Sequence, residues 1–496
     1  MERVAVVGGG PAGIALTRWL ISEGFDPVVF ERGDRLGGQW TGEPGHSGVW
    51  PSLHTNTSRV MTAFSDLPMP GGRVHPHNGE VLAYLEDYAE RFGVLARTRF
   101  GCPVRRLARS TAGWTIEHAG GTEEFARVAV ATGRFHAPHV PHVDGLASFT
   151  GSEGVTTTYD HRDPVRYRGK RVLVGGCAVS ALELAADLAS IGAARVVVTQ
   201  RRQRYVLPKF AAGVPSDHRI FTRYLALADA VLPRDEVGRQ LREIVVEAGG
   251  SPEQYGAPAP SEDFFAAGVT LNQQYLPLVG EGRIAVRPWM ASVVGDRVTF
   301  ADGRVEQFDA VVLGTGFDLE LPFLDDGIRS VLDLDDQHAD LDRWTFHPDL
   351  PGLAFLGFWD QSGPYLVPIE LQARWVAYTW SGRVAAPTDA EMRAAIAAYR
   401  ARRGQSQKTR MNLVATTFAR AAGVEPDPDA HPALRRGLLF GPLAPSQYRL
   451  TGPDALPDAA ERFADDAAAF GAITDPAFTE REARYLALLD EATSRD

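Results

Sequence analysis

The sequence predicts an α/β protein with two Rossmann-like dinucleotide-binding domains, the second of them inserted into the first. Three observations predict this architecture. The chain contains two units that read strand, glycine-rich turn, helix, strand. Each unit is followed by a similar segment that reads as a hairpin and one more apolar strand. Finally, 496 residues exceed what one compact core accommodates.

The first unit lies at the N-terminus and reads RVAVVGGGPAGIALTRWLISEGFDPVVFERGDR. After the apolar stretch VAVV, the residues Gly8, Gly10 and Gly13 form a GxGxxG turn that opens a helical pattern. In such a turn the first glycine permits a tight bend, the second lets backbone approach a pyrophosphate, and the third lets the helix pack on the strand. Glu31 ends the next strand, PVVF, where a carboxylate can accept hydrogen bonds from ribose hydroxyls. We interpret this unit as a site for FAD.

The second unit reads GKRVLVGGCAVSALELAADLASIGAARVVVTQRRQR. Gly176 opens its turn, and Ala178 takes the place of the second glycine. No acid ends its second strand, RVVV; Arg201 and Arg202 stand there instead. A carboxylate at this position would repel a 2′-phosphate, whereas arginine binds phosphate in a bidentate manner. We interpret this unit as a site for NADPH, although two arginines can also form an ordinary solvated strand end.

Two similar segments follow these units. Residues 113–133 read GWTIEHAGGTEEFARVAVATG, and residues 296–316 read DRVTFADGRVEQFDAVVLGTG. Both predict a hairpin with a tight turn and then an apolar strand that ends in Thr-Gly. The repetition predicts two similar α/β domains.

The repetition also predicts where the chain passes between domains. The stretch ATGRFHAPHVPHVDG is rich in proline, which suits a stiff crossover better than a metal site in spite of its histidines. The predicted domains are residues 1–165, the first part of the FAD domain; 166–312, the NADPH domain with a helical insertion at about 208–275; and 313–496, the rest of the FAD domain with a C-terminal helical extension.

Composition narrows the class of protein. A net charge of −11 argues against general nucleic-acid binding. Two cysteines without a CxxC pair exclude a disulfide framework, a cysteine-rich zinc site and a dithiol redox centre, and no metal site is predicted. The first strand leaves no room for a signal peptide, and no apolar run reaches the ~18 residues of a membrane span. We therefore expect a cytoplasmic protein with no membrane or nucleic-acid partner.

Four stretches resemble the flavin-containing monooxygenases, the single-component FAD/NADPH enzymes that include Baeyer–Villiger relatives. They are FERGDRLGGQW, SLHTNTSRVMTAFSDLP, PGLAFLGFWDQSGPYLVPIELQARW and LLFGPLAPSQYRLTGP. The resemblance implies FAD and NADPH as cofactors, and O2 and a small molecule as substrates. It also implies that Asn56, in the second stretch, lies beside the reacting edge of the flavin and NADP+, which makes it the candidate catalytic residue.

The activity that the resemblance implies is oxygenation of a soft nucleophile. NADPH reduces the flavin, O2 forms a C4a-hydroperoxyflavin, and a nitrogen or sulfur atom of a small organic substrate takes the distal oxygen. The candidate cofactor-binding residues, from the two turns and the resemblance together, are Gly8, Gly10, Pro11, Ala12, Gly13, Glu31, Arg32, Gly38, Gln39, Trp40, Thr55, Asn56, Val104, Thr132, Gly133, Gly176, Ser180, Ala181, Arg201, Arg202, Gly316 and Gln372.

One family fingerprint is matched only in part. Its pattern is FxGxxxHxxx followed by Tyr or Phe, or by Trp in Baeyer–Villiger types. Phe149, Gly151 and Tyr159 match it, but Val155 occupies the histidine position and His161 is displaced from it. Both Baeyer–Villiger signals, the histidine and the tryptophan, are therefore missing.

Other functions stay open at this point. They are Baeyer–Villiger oxygenation of a ketone, N-hydroxylation of a primary amine in a biosynthetic pathway, a simple NADPH oxidase or reductase, and a non-catalytic nucleotide sensor. The intact glycines of the first turn argue against the sensor, and the missing CxxC pair argues against a disulfide reductase. No residue pattern determines the oligomeric state, for which a homodimer is the assembly to test.

Overall fold

A computed structural model describes residues 1–405 and 408–494. The protein is mixed α/β, and its two largest sheets each have five strands that all run parallel. The strands of the first sheet, in spatial order, are Leu353–Phe355, Arg127–Val130, Arg3–Val7, Asp26–Phe30 and Thr98–Arg99. Those of the second are Ile284–Pro288, Arg195–Gln200, Arg171–Gly175, Ala310–Leu313 and Gly154–Thr157.

Both sheets are covered on their two faces in the same way. Val4 and Val6 face the helix Pro11–Ser22, while Ala5 and Val7 face a three-stranded antiparallel meander. In the second sheet, alternate valines of Arg171–Gly175 and Arg195–Gln200 likewise face a helix and a second meander. A parallel sheet buried on both faces requires continuous apolar strands, which explains why VAVV, VLV and VVV form these cores.

The two similar sequence segments form the meanders and the strands that follow them. The first meander contains Val104–Ser110, Gly113–His118 and Gly121–Phe125; the second contains Met290–Val294, Arg297–Phe300 and Val305–Gln307. Each chain segment then enters a parallel sheet, at Arg127–Val130 and at Ala310–Leu313. The hairpin predictions are therefore confirmed in both segments.

The two crossings between the sheets run side by side. Ala137–Pro138 pairs with Phe317–Asp318 as a short antiparallel ribbon, so the outgoing and returning chains are hydrogen-bonded to each other. Gly154–Thr157 already pairs with the second sheet, although it precedes residue 166. The predicted domain limits remain predictions, with this strand as the structural landmark nearest the first of them.

The chain between Gln200 and Ile284 is mostly helical, as the sequence predicts for about 208–275. Three of its helices follow one another closely: Asp217–Ile220, Arg223–Val231 and Arg234–Gly249. The breaks have local causes, since Thr222 caps the second helix through its side chain and Pro233 cannot continue a helix. The other helices between Gln200 and Ile284 are Phe264–Ala267 and Tyr275–Gly280. The strands there are Tyr205–Leu207, Phe210–Ala211, Val214–Pro215 and Val269–Leu271.

This insertion belongs by sequence to the second unit but packs against the first. Ile220, Phe221 and Tyr224 share one buried cluster with Met61 and Phe64 beneath the first sheet. The C-terminal region joins the same cluster, and Tyr485 stacks on Tyr224 with ring centroids 5.2 Å apart. The insertion therefore connects the two sheets through packing as well as through the chain.

The remaining elements surround the first sheet and the C-terminal core. The helices are Asn78–Arg91, Asp326–Val331, Leu366–Ser381, Asp389–Arg400, Met411–Ala421, Arg435–Phe440, Ala459–Ala468 and Glu480–Thr493. The helix that covers the second sheet is Val179–Ser190. The strands Gln361–Ser362 and Thr409–Arg410 pair in parallel. Within residues 1–405 and 408–494, no helix combines the length and the apolar character needed to cross a membrane.

Replacing Gly176 by alanine should destabilise the fold more than replacing Gly192. Both have positive φ, +117° and +87°, but a Cβ at Gly176 would lie 2.4 Å from the carbonyl oxygen of Gly314, whereas one at Gly192 meets no atom within 4 Å. Overpacking of this kind costs about 1–3 kcal/mol. We expect the midpoint of thermal unfolding to fall several degrees further for Gly176→Ala than for Gly192→Ala. Equal midpoints would contradict the close approach at this turn.

Candidate cofactor-binding site

A cavity of about 1540 Å3 lies where the two parallel sheets face each other. The glycine turns of both sheets open into it, and so does the segment of residues 52–68, which we call the Thr-Asn loop. Such a position, at the carboxyl ends of parallel strands, is where open α/β sheets bind ligands. Residues of both predicted nucleotide sites line this cavity, so the two sites share one space.

Most of the predicted site residues line this cavity. They are Gly8, Gly10, Pro11, Ala12, Glu31, Arg32, Gly38, Gln39, Trp40, Thr55, Asn56, Val104, Thr132, Gly133, Gly176, Ser180, Arg201, Arg202 and Gly316. Three predicted residues do not line it: Gly13, Ala181 and Gln372. The structure thus brings together residues that are separated by more than three hundred positions in the sequence.

The first turn leaves room for a ligand only at its second glycine. A Cβ at Gly8 would lie 2.6 Å from the carbonyl oxygen of Ala131, and one at Gly13 would lie 1.9 Å from that of Gly8. At Gly10, by contrast, a Cβ would meet only Gly38 Cα, at 3.5 Å. Gly8 and Gly13 are therefore needed for packing, while Gly10 borders the cavity where the helix Pro11–Ser22 begins.

Glu31 holds the first turn from the neighbouring strand. Its buried carboxylate accepts hydrogen bonds from the amides of Gly9, at 2.6 Å, and Gly33, at 2.7 Å. A carboxylate has further lone pairs for a ribose hydroxyl, and Glu31 lines the cavity. The predicted ribose partner is thus also a structural support for the glycine turn.

The second turn has the same shape with different residues. Gly176 approaches the carbonyl oxygen of Gly314, as Gly8 approaches that of Ala131. Ala178 sits at the helix N-cap with φ −86° and ψ 177°, a conformation that alanine adopts without strain. The methyl of Ala181, at the third glycine position, fits because Gly314 lies opposite; a Cβ on Gly314 would be 2.8 Å from it. The two departures from GxGxxG are therefore compatible with the turn.

Four cations surround the second turn: Arg201, Arg202, Arg204 and Lys408 all line the cavity. None of the four makes an ion pair within 4 Å with a carboxylate of residues 1–405 or 408–494. Arg201 lies over the ring of Trp289, 5.2 Å from its centroid. Unpaired cations that converge on one end of a cavity form a site for an anion.

Lys408 and Arg204 are functional candidates that the motifs do not identify. Burial lowers the pKa of the Lys408 ammonium; nearby Asp360 opposes this effect, and the charges of Arg204 and Arg202 add to it. The Nε of Arg204 is buried and has no hydrogen-bond partner among the described residues. Arg204 was visible in the RRQR sequence, but no local pattern marks Lys408, which only the tertiary fold brings to the second turn.

The Thr-Asn loop forms a wall of the cavity and not an outer turn. Thr55 is buried and its hydroxyl donates to the carbonyl of Thr57 at 2.7 Å. The side-chain oxygen of Asn56 is buried and has no hydrogen-bond partner in the described part of the chain. Because a buried amide oxygen without a partner is costly, this atom fits a ligand that donates a hydrogen bond.

The loop is fixed on its far side by a buried carboxylate. Glu370 accepts hydrogen bonds from the amide of Ser65, at 2.7 Å, and from its hydroxyl, at 2.5 Å. Burial and the charge of Asp66 raise the pKa of Glu370, which Arg374 opposes. This network ties the loop to the helix Leu366–Ser381 of the C-terminal region.

Three aromatic residues that the sequence analysis did not select also line the cavity, at the ribbon that joins the sheets. Phe135 contacts Phe317 and Tyr365 edge to face, with centroid distances of 5.6 and 5.9 Å. Burial raises the pKa of Tyr365 well above its usual value, so its hydroxyl stays protonated. The three aromatic rings form an apolar part of the cavity wall, whereas the Thr-Asn loop forms a polar part.

The fingerprint residues and Gln372 lie outside the cavity lining. Val155 is 39% exposed on the edge strand of the second sheet, so the missing histidine removes no group from the cavity wall. Tyr159 packs on Phe317. His161 lies between the rings of Trp50 and Tyr167, where burial lowers the pKa of the imidazole to about 4. Gln372 accepts from the amide of Gly357 at 2.9 Å and thereby supports a turn that does line the cavity.

The crossover histidines have separate partners. His136 lies 3.1 Å from the carbonyl oxygen of Glu320, and His139 lies 2.9 Å from the carboxylate of Asp318. His142 is at the surface beside Asp144. They do not converge on one point, which agrees with a linker role for this segment.

Comparisons with known proteins give matches that cover most of this chain. A family model described as flavin-binding monooxygenase-like matches residues 1–464. Dimethylaniline monooxygenase (N-oxide-forming) 2 of Rattus norvegicus is 32% identical over 487 residues, which cover 91% of this chain and 89% of that protein.

Solved structures share the fold. The S-allyl-L-cysteine S-oxygenase from Allium sativum has a TM-score of 0.64 at 21% identity, over 100% of this chain and 99% of that chain. Cyclohexanone monooxygenase in its open form has a TM-score of 0.63 at 17% identity, over 86% of this chain and 98% of that chain. The α/β architecture with parallel sheets is therefore common to all three proteins.

Replacing Gly10 by valine should prevent FAD binding and leave the chain folded. Its Cβ has ordinary contact distance to Gly38, but the methyl groups beyond it enter the space expected for the pyrophosphate. Gly72→Val is the matched control, because Gly72 has open space around it and lies outside the cavity lining. We expect a colourless Gly10→Val protein with native circular dichroism and a yellow control. A yellow Gly10→Val protein would contradict the assignment.

Proposed function

The chain belongs to the flavin-binding monooxygenase-like family, and on this basis we propose that it uses NADPH and O2 to oxygenate a nitrogen or sulfur nucleophile of a small organic molecule. Enzymes of this family are flavin-dependent monooxygenases whose cofactors are FAD and NADPH. The observation that carries the proposal is the cavity: two glycine turns line it together with Asn56, whose amide oxygen has no partner among the described residues.

The first turn fits FAD. The amides at the start of the helix Pro11–Ser22 and the open side of Gly10 suit a pyrophosphate, because a helix N-terminus attracts anions. Glu31 would hold the adenosine ribose, and Arg32 lines the same end of the cavity. Under this proposal residues 1–165 and 313–496 form the FAD domain and residues 166–312 the NADPH domain, with the Thr-Asn loop at the centre.

The second turn fits a phosphorylated nicotinamide cofactor. Arg201 and Arg202 would bind the 2′-phosphate, and Arg204 and Lys408, which line the same cavity, would add positive charge. Burial lowers the pKa of Lys408, and an anion beside it would raise that pKa again. A cofactor with more negative charge is therefore favoured over NADH.

FAD, when bound, would supply the redox chemistry that connects NADPH, O2 and the substrate. The protein's part is to orient and to exclude water. Asn56 can both donate and accept hydrogen bonds at the cavity wall, and the Thr55 hydroxyl is already committed to the loop backbone. Oxygenation of a thioether or tertiary amine requires no protein acid or base, so Asn56 acts by hydrogen bonding alone.

The choice of a nitrogen or sulfur nucleophile is supported by the relatives' names. One names an N-oxide-forming dimethylaniline monooxygenase and another an S-oxygenase of S-allyl-L-cysteine. Ketone oxygenation and hydroxylation of a primary amine remain the alternatives. A substrate panel separates them: we expect sulfoxide or N-oxide from thioethers or tertiary amines, and no ester from ketones. Ester formation alone, or hydroxylamine formation alone, would replace the proposed substrate class.

Replacing Arg201 and Arg202 together by alanine should raise KM for NADPH by about 10–100-fold, because charge-assisted hydrogen bonds to phosphate are lost. KM for NADH should change by less than about threefold, since NADH lacks the 2′-phosphate. The control is the double variant Arg239→Ala and Arg242→Ala, which removes the same charge from the exposed face of the helix Arg234–Gly249, outside the cavity. Equal effects on both coenzymes would remove the 2′-phosphate assignment.

Replacing Asn56 by alanine should leave FAD bound but lower the yield of oxygenated product per NADPH by about tenfold, as expected for loss of one hydrogen bond at the reacting centre. The missing reducing equivalents should appear as H2O2. The measurement compares NADPH consumed, product formed and peroxide released. An unchanged ratio of product to NADPH would argue against the placement of Asn56 beside the reacting groups.

A further inference from the structure

Ser58, two residues after Asn56, is held by two side chains of the helical insertion. Its backbone amide donates to the carboxylate of Asp217 at 2.7 Å, and its hydroxyl lies 2.9 Å from Nε2 of His218. The partners are 159 and 160 positions away in the sequence. We call these three residues the loop latch.

The loop latch is completely enclosed. Ser58, Asp217 and His218 are each no more than 2% exposed. The ring of Phe470, from the C-terminal region, packs edge to face on His218 with centroids 5.5 Å apart. The two contacts give Asp217 Oδ2 and His218 Nε2 a partner in the loop, while Asp217 Oδ1 and His218 Nδ1 are buried without a partner among the described residues. Loss of either contact would leave further buried polar atoms unpaired, which is costly.

The ionisation states favour a fixed geometry. Burial lowers the pKa of His218 to about 3, so its imidazole is neutral, and Nε2 can share one hydrogen bond with the Ser58 hydroxyl. Burial raises the pKa of Asp217 to about 6, against the Ser58 hydrogen bonds, which lower it. Neither side chain reaches solvent or the cavity, so a direct role in chemistry is excluded for both.

A displacement of the insertion can alter the cavity, because the loop latch connects the insertion to the Thr-Asn loop. The insertion lies between two strands of the second sheet by sequence, yet its helices pack in the core beneath the first sheet. The loop latch is the direct hydrogen-bonded contact through which this insertion reaches the Thr-Asn loop near Asn56. A shift of the insertion would therefore move the backbone that carries the Asn56 amide.

We infer that Asp217 and His218 are positioning residues that hold Asn56 in place through Ser58 and so connect the NADPH-side insertion to the flavin-side loop. This inference rests on the proposed function for the role of Asn56. The latch itself is a property of the chain and can be measured without turnover. Through the loop latch, the insertion has a role in addition to covering the core.

The test compares Ser58→Ala and Asp217→Ala with Tyr224→Phe. The control removes a buried hydrogen bond within the insertion, from Tyr224 to Gln240 at 3.0 Å, and keeps the ring. Hydrogen–deuterium exchange of residues 53–62 is followed in the FAD-bound protein without NADPH. We expect exchange there to rise about tenfold or more in both latch variants, as loss of a hydrogen bond to a charged or buried group implies, and to stay unchanged in the control.

A second readout follows the consequence at the cavity. With substrate present, the share of NADPH electrons released as H2O2 should rise in both latch variants toward that of Asn56→Ala. FAD content and the Kd for NADP+ should stay within about twofold of wild type, because neither residue touches the cofactor sites. Adding Ser58→Ala to Asn56→Ala should then cause no further leakage.

Several results would overturn the inference. Exchange of residues 53–62 at the wild-type rate in Ser58→Ala would do so, even if Asp217→Ala failed to fold. So would faster exchange in Ser58→Ala without peroxide leakage, where Asn56→Ala does leak. Failure of the proposed function looks different: the wild-type protein itself would release all its reducing equivalents as peroxide whatever nucleophile is offered.

Discussion

The close approach of backbone to backbone at two glycine turns is the constraint on which the structure depends. Gly8 and Gly176 lie so near the carbonyl oxygens of Ala131 and Gly314 that no side chain fits. This proximity sets each helix N-terminus against the end of its sheet and directs both at one cavity. The Thr-Asn loop completes the cavity, because Glu370 and the loop latch fix it from two sides.

Cations without a carboxylate partner line the cavity beside the second turn. The protein carries a net charge of −11, yet Arg201, Arg202 and Arg204 form no ion pair with a carboxylate in the described part of the chain. Keeping such cations apart from carboxylates has a cost in the free protein, which a bound phosphate would offset. The apolar wall of Phe135, Phe317 and Tyr365 supplies the contrasting surface that excludes water.

The sequence alone could predict what depends on local order. The glycine turns, the hairpins and the polar Thr-Asn loop follow from spacing over a few residues, and their structures agree. Lys408, Asp217 and His218 could not be found in this way, because their roles depend on partners more than a hundred positions away. Of the breaks between the three consecutive helices of the insertion, only the one at Pro233 follows from local sequence.

The most direct test of the central claim is a crystal structure of the protein with FAD and NADP+ bound. The account predicts the FAD pyrophosphate at Gly10, the 2′-phosphate of NADP+ among Arg201, Arg202 and Lys408, and the isoalloxazine within hydrogen-bonding reach of Asn56. A flavin ring remote from the Thr-Asn loop, or a dinucleotide bound outside the shared cavity, would contradict it.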